Sequence, residues 1–347
     1  MRILFVDMDY FYAACEEVRH PELKGKPLLV SSPGGKSRGV VESCNYEARR
    51  LGIKSAMPVM DALKIKPDIQ CVQADHDYYD EQSGRIMAFL KTFTTRMEVI
   101  SVDEAALDIG SMGHDDESML ANKIKDGIFN EVGLPCTIGI SKGKILAKMV
   151  CDSAKPNGIK ILEDDEIRGF LWSRSVEDIP GVGRKTAERL GKRGIRTIGD
   201  LSRVNPVVLR DAVGSFSKEL HDLASGIDNS VIIEHCETLS IGRERTLENP
   251  TSDIDRASDT LKALVGEVMD DLDKHQFLLK TITAKVKYTD FSDRIHSKSL
   301  SHPTDSRDVL LREATSLLKD LMSSKKARKI GVRVSSFTGK SKQKKLF

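Results

Sequence analysis

Apolar and polar residues in the first half of the chain repeat with the periods of short strands and amphipathic helices. The apolar runs Ile3–Val6 and Cys136–Ile140 predict buried strands, and residues 98–109 alternate around a tight bend, which predicts a hairpin. The spacing of apolar residues predicts helices over 75–92 and 118–131. Together these elements predict an α+β unit in which helices pack on one face of a sheet.

The stretch from residue 10 to residue 51 predicts a smaller set of elements. Helices are predicted at Tyr10–Val18 and Tyr46–Leu51, and strands at Leu28–Val30 and Val40–Ser43. The segment Ser31–Gly39 is rich in Gly, Ser and Pro, so it is predicted to be a loop.

Residues 178–200 predict helices joined by a glycine-rich hairpin. The segment Asp178–Gly183 precedes a helical run at Arg184–Leu190, and a turn at Arg193–Ile195 leads to a helix that begins near Thr197. Glycine lets a backbone approach a phosphate closely, and a helix N-terminus offers amide donors. The hairpin therefore resembles a helix-hairpin-helix motif that contacts DNA; an ordinary turn in a helical bundle is the alternative.

The last hundred residues predict the element order βαββαβ, a compact sheet with two helices on one face. The predicted elements, in chain order, are Thr238–Leu247, Ile254–Leu272, Thr281–Thr289, 294–300, 306–322 and Ile330–Val334. In Thr281–Thr289 the apolar residues alternate with Lys285 and Lys287. These lysines and Arg333 are expected on the helix-free face, where DNA could dock.

The distribution of charge agrees with such a surface. The net charge of the chain is only +2, but residues 241–347 contain 22 Lys and Arg against 15 Asp and Glu. This excess of seven positive charges leaves a net charge of −5 on the rest of the chain. A basic C-terminal third beside an acidic remainder is typical of a protein that binds the phosphate backbone through one module, although a basic surface can also serve solubility alone.

Two acidic clusters follow predicted strands almost a hundred residues apart. Asp7 ends the run Ile3–Val6, and Asp103 and Glu104 follow Val99 and Ile100. If both strands belong to one sheet, the three carboxylates can converge on hard divalent cations. Magnesium prefers a few carboxylates together with substrate phosphates, which suits phosphoryl or nucleotidyl transfer with paired metals.

Composition excludes several protein classes. A chain of 347 residues suggests two to four domains, and no apolar stretch reaches the 18 residues of a transmembrane helix. The N-terminus lacks the pattern of a signal peptide. The six cysteines form no CxxC pair, which argues against a zinc site or a disulfide framework. A cytoplasmic location is expected, because reducing compartments keep thiols free.

Four ordered motifs resemble the signature blocks of Y-family DNA polymerases, in particular the polymerase IV-like branch. They are Asp7-Met8-Asp9-Tyr10-Phe11-Tyr12, Asn45-Tyr46-Glu47-Ala48-Arg49, Ser101-Val102-Asp103-Glu104-Ala105 and Ala154-Lys155-Pro156-Asn157-Gly158. The resemblance runs over the whole chain. It implies an α+β multidomain fold with a ferredoxin-like palm, small fingers, a helical thumb that carries the helix-hairpin-helix motif, and a βαββαβ little-finger domain.

The resemblance also implies domain boundaries. The expected segments are 1–10 and 75–165 for the palm, 11–74 for the fingers, 166–230 for the thumb, 231–239 for a linker, 240–341 for the little finger and 342–347 for a flexible tail.

By the same resemblance, Asp7, Asp103 and Glu104 match the metal-binding catalytic acids, with the backbone carbonyl of Met8 as a further ligand. Two Mg²⁺ ions are expected, with Mn²⁺ as a substitute. Asp9 and Asp108 are interpreted as structural or solvated acids.

The incoming deoxynucleoside triphosphate is expected to contact other matching positions. Tyr46, Arg49 and Lys155 match phosphate-binding positions, although without the family pattern Tyr46 and Arg49 would be interpreted as a surface helix pair. Tyr12 matches the residue that excludes ribonucleotides by colliding with a 2′-hydroxyl, whereas Phe11 is assigned to the core. Ser43 and Cys44 match small residues above the nascent base pair.

The remaining implied contacts concern DNA and a protein partner. Primer–template DNA is expected at the helix-hairpin-helix residues and on the helix-free face, at Gly181, Val182, Gly183, Arg184, Lys285, Lys287 and Arg333. The terminal Gln-x-x-Leu-Phe pattern resembles peptides that bind a DNA sliding clamp through Gln343, Leu346 and Phe347; contact of this basic tail with DNA is the alternative. Ala106 departs from the aromatic residue expected after the block, which puts the packing beneath the acids in question.

The sequence therefore predicts a monomeric, template-directed DNA polymerase of low fidelity that bypasses damaged bases and has no proofreading exonuclease domain. A nucleotidyl cyclase would share the palm but needs no DNA-binding modules, and a non-catalytic repair scaffold has no reason to keep three acids together. A single-nucleotide transferase of the same family is the alternative that the sequence leaves open.

Overall fold

The apolar run after Met1 forms the centre of the first sheet. The computed structural model describes residues 1–32, 39–110, 114–234, 237–322 and 325–339, and the chain divides into two units, Met1–His235 and Cys236–Phe347. The strands of the first unit are β1 (Arg2–Met8), β2 (Leu28–Ser31), β3 (Val41–Cys44), β4 (Gln70–Gln73), β5 (Met97–Val99), β6 (Glu104–Gly110), β7 (Cys136–Lys142) and β8 (Ile159–Ile161).

Six predicted helices and five that were not predicted make up the eleven helices described in this unit. They are α1 (Phe11–Arg19), α2 (Tyr46–Arg50), α3 (Val59–Ile65), α4 (His76–Leu90), α5 (His114–Val132), α6 (Lys144–Ala154), α7 (Ile167–Trp172), α8 (Arg184–Gly191), α9 (Ile198–Ser202), α10 (Pro206–Val213) and α11 (Ser217–Ala224). Most of the predicted Ser31–Gly39 loop, residues 33–38, lies outside the described residues.

The main sheet of the first unit has the strand order β5-β6-β1-β7-β8, and β1 runs antiparallel to both of its neighbours. Leu4 and Val6 face one side of this sheet and share a core with apolar residues of α4 and α5. Ile3 and Phe5 face the other side and share a cluster with Ala147 and Cys151 of α6. Helices therefore lie on both faces, which corrects the expectation of one covered face.

A glycine makes the packing of α6 possible. Gly139 stands opposite Phe5 in the sheet, and a Cβ atom there would lie 2.2 Å from the backbone nitrogen of Cys151. Real side chains essentially never approach a backbone that closely, so only glycine lets α6 lie against the sheet at this position.

Two smaller modules complete the first unit. Strands β3, β2 and β4 form a sheet with its own core, to which α2 and α3 contribute. Helices α7 to α11 pack around an apolar cluster of their own, which also includes Leu146 and Val150 of α6.

The glycine-rich hairpin differs from the prediction on one side. It leads into α8 as expected, but a 3₁₀ turn, Val176–Asp178, precedes it instead of a helix. Ser175 forms a β-bridge with Thr197, so only a few residues separate that bridge from Pro180 and a longer helix has no room.

The second unit has the predicted order βαββαβ. Its elements are β9 (Ser240–Thr251), α12 (Ile254–His275), β10 (Phe277–Tyr288), β11 (Asp293–Thr304), α13 (Arg307–Leu321) and β12 (Ala327–Ser335), followed by the short strand β13 (Thr338–Gly339). The strand order is β11-β10-β12-β9, and β13 pairs with β10. Apolar residues of both helices and one face of the sheet form a single core.

Candidate functional site

Strand register brings the two acidic clusters together. Asp7, near the end of β1, is the direct cross-strand partner of Glu104, the first residue of β6. Directly opposed residues of antiparallel strands point to the same face of a sheet. Asp103 precedes Glu104 in the turn between β5 and β6, and its carbonyl accepts a hydrogen bond from the Met8 amide at 3.0 Å. The hairpin thus presents Asp103 from its tip, as expected, and Glu104 from the start of its second strand, whereas the tip or the first strand was expected for both acids.

These acids line one open cavity of about 290 Å³. Apart from Cys44, the candidate nucleotide residues of the first unit line the same cavity. Its walls include Asp7, Met8, Tyr12, Ser43, Tyr46, Arg49, Asp103, Glu104 and Lys155. Residues from separate stretches of sequence therefore meet at the end of β1.

Two lysines from one helical segment pair with two of the acids. Lys155, directly after α6, lies 2.5 Å from the Asp7 carboxylate and 3.2 Å from that of Asp152. Lys148 forms an ion pair with Glu104. Lys148 lies on α6 and Lys155 is the residue that caps its C-terminus. Their spacing of seven residues, two helical turns, places them on the same side, and this spacing was the signal by which the sequence could have identified Lys148.

Burial sets the acid–base properties of this cluster. Burial raises the pKa of Asp7 to about 7, although Lys155 opposes the shift. Burial also disfavours the charge of Glu104, but the hydrogen bond and charge of Lys148 outweigh it and lower the pKa of that carboxyl. Burial lowers the pKa of Lys155, but the charge of Asp7 outweighs it and holds that pKa above its ordinary value. Both lysines therefore remain cations beside the acids.

The donor set contains only oxygen. Asp103 accepts a hydrogen bond from the Ser101 hydroxyl at 2.5 Å. In the described part of the chain, no three acidic, histidine or cysteine side chains lie close enough to hold a metal ion by themselves. Carboxylates that share a cation with substrate phosphates need no such cage, so the residues present fit an ion that a phosphate ligand helps to coordinate.

A buried asparagine fixes the helix that carries Tyr46 and Arg49. The Asn45 side chain caps α2 by accepting from the Ala48 amide, and it also accepts from the Leu28 amide at 3.0 Å. Its amide group donates to Glu17 and to the Lys26 carbonyl at 2.7 Å each. All its hydrogen-bonding capacity is used, which holds α2 in one orientation. An asparagine before a short helix is a capping signal that the sequence offered.

The side chains of Tyr46 and Arg49 on α2 contact each other. The Arg49 guanidinium lies 4.9 Å from the centroid of the Tyr46 ring and donates to the Cys44 carbonyl at 3.0 Å. Arg49 also lines the cavity.

Tyr12 rests on a rigid support. Its ring stacks on that of Tyr79 with centroids 4.4 Å apart, and the fully buried Tyr79 donates to Glu16 at 2.7 Å. Phe11 is buried in the core, as expected. The ring of Tyr12 is therefore held at a fixed place on the cavity wall.

Cys44 differs from expectation, whereas Ser43 lies where it was expected. Cys44 is fully buried and its thiol donates to the Ile53 carbonyl, so it points into the small core and away from the cavity; Ser43 remains on the cavity wall.

The two further acids, Asp9 and Asp108, are bound by other residues of the protein. Asp9 is buried and accepts from Thr137 and the Asn157 amide, and Asp108 pairs with Arg96. Both acids have partners within the protein, and Asp9 also lines the cavity.

Ala106 lies within an apolar cluster beneath the acids. Ala106 is fully buried and is the cross-strand partner of Phe5. The cluster around this pair also includes Ile232, which comes from the segment after α11. A distant residue thus joins the layer in which an aromatic side chain was expected.

The helix-hairpin-helix residues lie in the first unit, opposite α6. Residues 177–183 and Lys148, Met149, Asp152 and Ser153 line a cavity of about 610 Å³. Gly181 has φ +91°, which favours glycine. The side chain of Val182 is buried in the helical core, whereas the exposed Arg184 pairs with Glu188.

The basic residues of the second unit lie on the helix-free face as predicted. Lys285 pairs with Glu244 at 2.9 Å, and Lys287 pairs with Asp293 at 2.9 Å. Arg333 is exposed and stands opposite Thr283 and Gly242 in the sheet.

The tail residues Gln343, Leu346 and Phe347 lie outside the described residues. Across the described ranges, no helix is both long and apolar enough to cross a membrane.

Comparison with known proteins identifies the family. Residues 6–152 match the impB/mucB/samB family, residues 238–346 match its C-terminal domain, and residues 177–228 match the thumb domain of DNA polymerase-iota. The DNA polymerase IV of Methanoculleus marisnigri is 38% identical over 342 residues, which cover 97% of this chain and 94% of that protein.

Solved structures agree with this result. The Y-family DNA polymerase chimera Dbh-Dpo4(243-245)-Dbh has a TM-score of 0.91 at 33% identity and covers 98% of this chain and 100% of its own. An insertion ternary complex of Dbh DNA polymerase has a TM-score of 0.69 at 32% identity, with the same coverage. With its palm, its helical thumb and its C-terminal little-finger domain, this chain belongs to the Y-family of DNA-directed DNA polymerases, in the polymerase IV-like branch.

Proposed function

We propose that this chain is a template-directed, low-fidelity DNA polymerase that adds deoxynucleotides to a primer 3′ end and bypasses damaged template bases as a monomer. The observation that carries the proposal is the convergence of Asp7, Asp103 and Glu104 with Tyr46, Arg49 and Lys155 around one cavity. Nucleotidyl transfer from a triphosphate requires acids that hold the cations and, on an adjacent wall, donors that bind the phosphates.

Divalent metal dependence is general to this family's fold. We propose two Mg²⁺ ions, replaceable by Mn²⁺, held by the carboxylates of Asp7, Asp103 and Glu104 and by the Met8 carbonyl. When bound, the ions would activate the primer 3′-hydroxyl, neutralise the triphosphate and stabilise departing pyrophosphate. The side chains of Lys148 and Lys155 balance the negative charge of the acids and keep their carboxylates oriented.

The triphosphate would lie along the wall formed by α2 and the end of α6. Arg49 suits this role because a guanidinium binds phosphate oxygens in a bidentate manner, and its contacts with Tyr46 and Cys44 already fix its direction. Lys155 adds a cation beside Asp7. Tyr12 would meet the sugar and exclude a 2′-hydroxyl by collision.

DNA would be held mainly through phosphates. Gly181 and Gly183 allow a close backbone approach. Arg184 and Arg333 are exposed cations, and Lys285 and Lys287 are partly exposed ones. Phosphate contacts position a protein on DNA without reading its sequence, which suits an enzyme that must accept any template.

Primer extension tests the proposal. Purified protein should extend a primer opposite an abasic template position only when magnesium or manganese is present. Supplying each of the four deoxynucleotides alone, opposite each template base, separates a template copier from a single-nucleotide transferase. Addition of one nucleotide regardless of template would contradict the proposal, as would extension in the presence of EDTA.

We also propose that the C-terminal tail binds a DNA sliding clamp through Gln343, Leu346 and Phe347. A tether of this kind would raise the effective concentration of primer ends to about the millimolar range without any new catalytic contact. Deleting 343–347 should leave clamp-free synthesis intact and abolish stimulation by the host's clamp.

The double variant Leu346→Ala with Phe347→Ala keeps the positive charge of the tail and should also lose stimulation. If that variant is stimulated normally, the tail is an electrostatic DNA contact and the clamp proposal fails.

A further inference from the structure

The N-terminus of α6 is capped by side chains from a distant segment. The Leu146 amide donates to the Asp228 carboxylate at 2.9 Å, and the Lys144 and Ile145 amides donate to the Ser230 hydroxyl at 2.9 and 3.2 Å. The first amides of a helix have no partners within the helix. The residue before α6 is Gly143, which has no side chain to supply them.

The local backbone is adapted to this remote cap. Gly143 has φ +91°, and a Cβ atom there would lie 2.4 Å from the carboxyl carbon of Asp228. Both facts require glycine at this position. The Asp228 carboxylate also accepts from the Ser230 amide at 2.9 Å, which holds the two capping residues in one turn.

A second set of contacts ties the same segment to the edge of the main sheet. Glu98 of β5 accepts from the Lys144 ammonium at 2.7 and 2.8 Å and from the Ile233 amide at 2.8 Å. Ile232 is buried in the cluster beneath the acids. The segment Asp228–Ile233 is therefore fixed by a cap, a charged edge contact and an apolar anchor.

The helix that receives this cap supplies both lysines of the acidic cluster. Lys148 pairs with Glu104, and Lys155 at the end of the helix pairs with Asp7. Lys148 lies in the turn that follows the capped residues, and Lys155 directly follows the helix, so a shift of the first turn of α6 moves both lysines relative to the acids. Misplacing reacting groups by about 1 Å can lower a rate roughly a hundredfold.

We propose that Asp228 and Ser230 are positioning residues for nucleotidyl transfer: they set the position of α6, and through it the positions of Lys148 and Lys155 beside the catalytic acids. This inference rests on the proposed polymerase function. The segment Asp228–Ile233, which follows the last thumb helix, thereby helps to align the active site.

Four variants and one control test it. Asp228→Ala and Ser230→Ala each remove part of the cap, whereas Asp228→Asn and Ser230→Thr retain an acceptor oxygen. Asn229→Ala changes an exposed side chain between the two capping residues and is the matched control. For each protein, amide hydrogen exchange over residues 144–147, thermal unfolding, DNA affinity, and kcat and KM for nucleotide insertion are measured well below the unfolding temperature.

Each alanine variant should exchange the amides of residues 144–147 faster and lose kcat by roughly 10- to 100-fold, with nucleotide KM and DNA affinity within about threefold of the wild type. The conservative variants should restore kcat to within a few-fold, and the control should match the wild type. Ser230→Ala, the milder change, carries the test if Asp228→Ala does not fold.

Two results would overturn the inference. Faster exchange or a lower unfolding temperature with unchanged kcat would make the cap structural only, and unchanged exchange would show that the hydrogen bonds do not hold the helix. A wild-type protein that fails to extend primers contradicts the proposed function instead, so the two failures are distinguishable.

Discussion

The cavity at the end of β1 and the helix-free face of the second unit both pair lysines with carboxylates, but in different surroundings. In the cavity, only 6% of the Asp7 side chain is exposed, and burial raises its pKa to about 7. On the sheet face, 30% of the Glu244 side chain is exposed. Burial disfavours its charge there too, but hydrogen bonds from Lys329 and Lys285 prevail and lower its pKa.

The difference determines what each pair can do. Water reaches the Asp7 carboxylate less readily than it reaches that of Glu244, so removal of a group from the cavity should appear in the rate of the chemical step. Exposed ion pairs contribute little individually and are screened by salt. The sheet face should therefore tolerate substitutions and report them mainly through salt-dependent DNA affinity.

The largest effect is expected at the acids. Asp103→Ala or Glu104→Ala should lower kcat for nucleotide insertion by about a thousandfold or more, because several kcal/mol of transition-state stabilisation disappear. DNA affinity should change little. Asp108→Asn, which alters an acid of the same strand outside the cavity, is the control. Near-normal extension by either alanine variant would refute the assignment of the acids.

A smaller effect is expected at the cavity wall. Tyr12→Ala should admit ribonucleotides by removing the colliding ring, and discrimination between sugars should fall by roughly 10- to 100-fold. Deoxynucleotide incorporation should survive. Tyr12→Phe keeps the ring that stacks on Tyr79 and should keep the discrimination. Comparing kcat/KM for both sugars decides the matter, and unchanged selectivity in the alanine variant would make Tyr12 a core residue only.

Substitutions on the sheet face should change the salt dependence of DNA affinity and not the rate of nucleotide insertion. Lys285→Ala combined with Lys287→Ala should reduce the dependence of log affinity on log salt by about 0.9 for each duplex phosphate that the variant no longer neutralises. No sequence preference should appear. Lys262→Ala combined with Lys319→Ala removes the same charge from the two helices on the other side of the sheet and should leave the slope unchanged. Equal slopes for both double variants would show that DNA does not use this face.

The smallest change is expected at the acid that pairs with two lysines of this face. Glu244 contacts Lys285 at 2.9 Å and Lys329 at 2.7 Å. Glu244→Gln should free both cations and raise DNA affinity by about two- to fivefold at low salt, because each exposed pair is worth less than about 1 kcal/mol. Asp320→Asn makes the same charge change on α13 and is the control. Weaker binding by Glu244→Gln would mean that the acid orders the lysines for DNA instead of competing with it.

The acid–base state of Glu244 also predicts a pH dependence. Because its folded pKa lies below the ordinary value, its pairing stabilises the second unit above the unfolded pKa and is lost as pH falls through the folded pKa. Glu244→Gln should therefore remove part of the decrease in thermal stability on acidification below about pH 4.5. Melting curves of wild type and variant across this range measure the difference.

Local patterns in the sequence determined most of the elements and the identity of the site. Apolar runs that end in Asp7 and precede Asp103 predicted strands that deliver acids, and the alternation along β10 predicted which face carries Lys285 and Lys287. These features repeat within a few residues, and the chemistry of a strand or helix face depends on just that spacing. The family motifs added which acids and cations belong to one cavity.

Only the tertiary structure decided which distant residues meet. The register that sets Asp7 opposite Glu104, the pairing of Lys148 with Glu104, and the inward direction of Cys44 and Val182 all depend on packing between stretches far apart in the chain. The same holds for α6, which lies on the second face of the sheet because Gly139 leaves room for it and Asp228 caps it. No local period encodes such contacts, since each depends on the free energy of the whole assembled core.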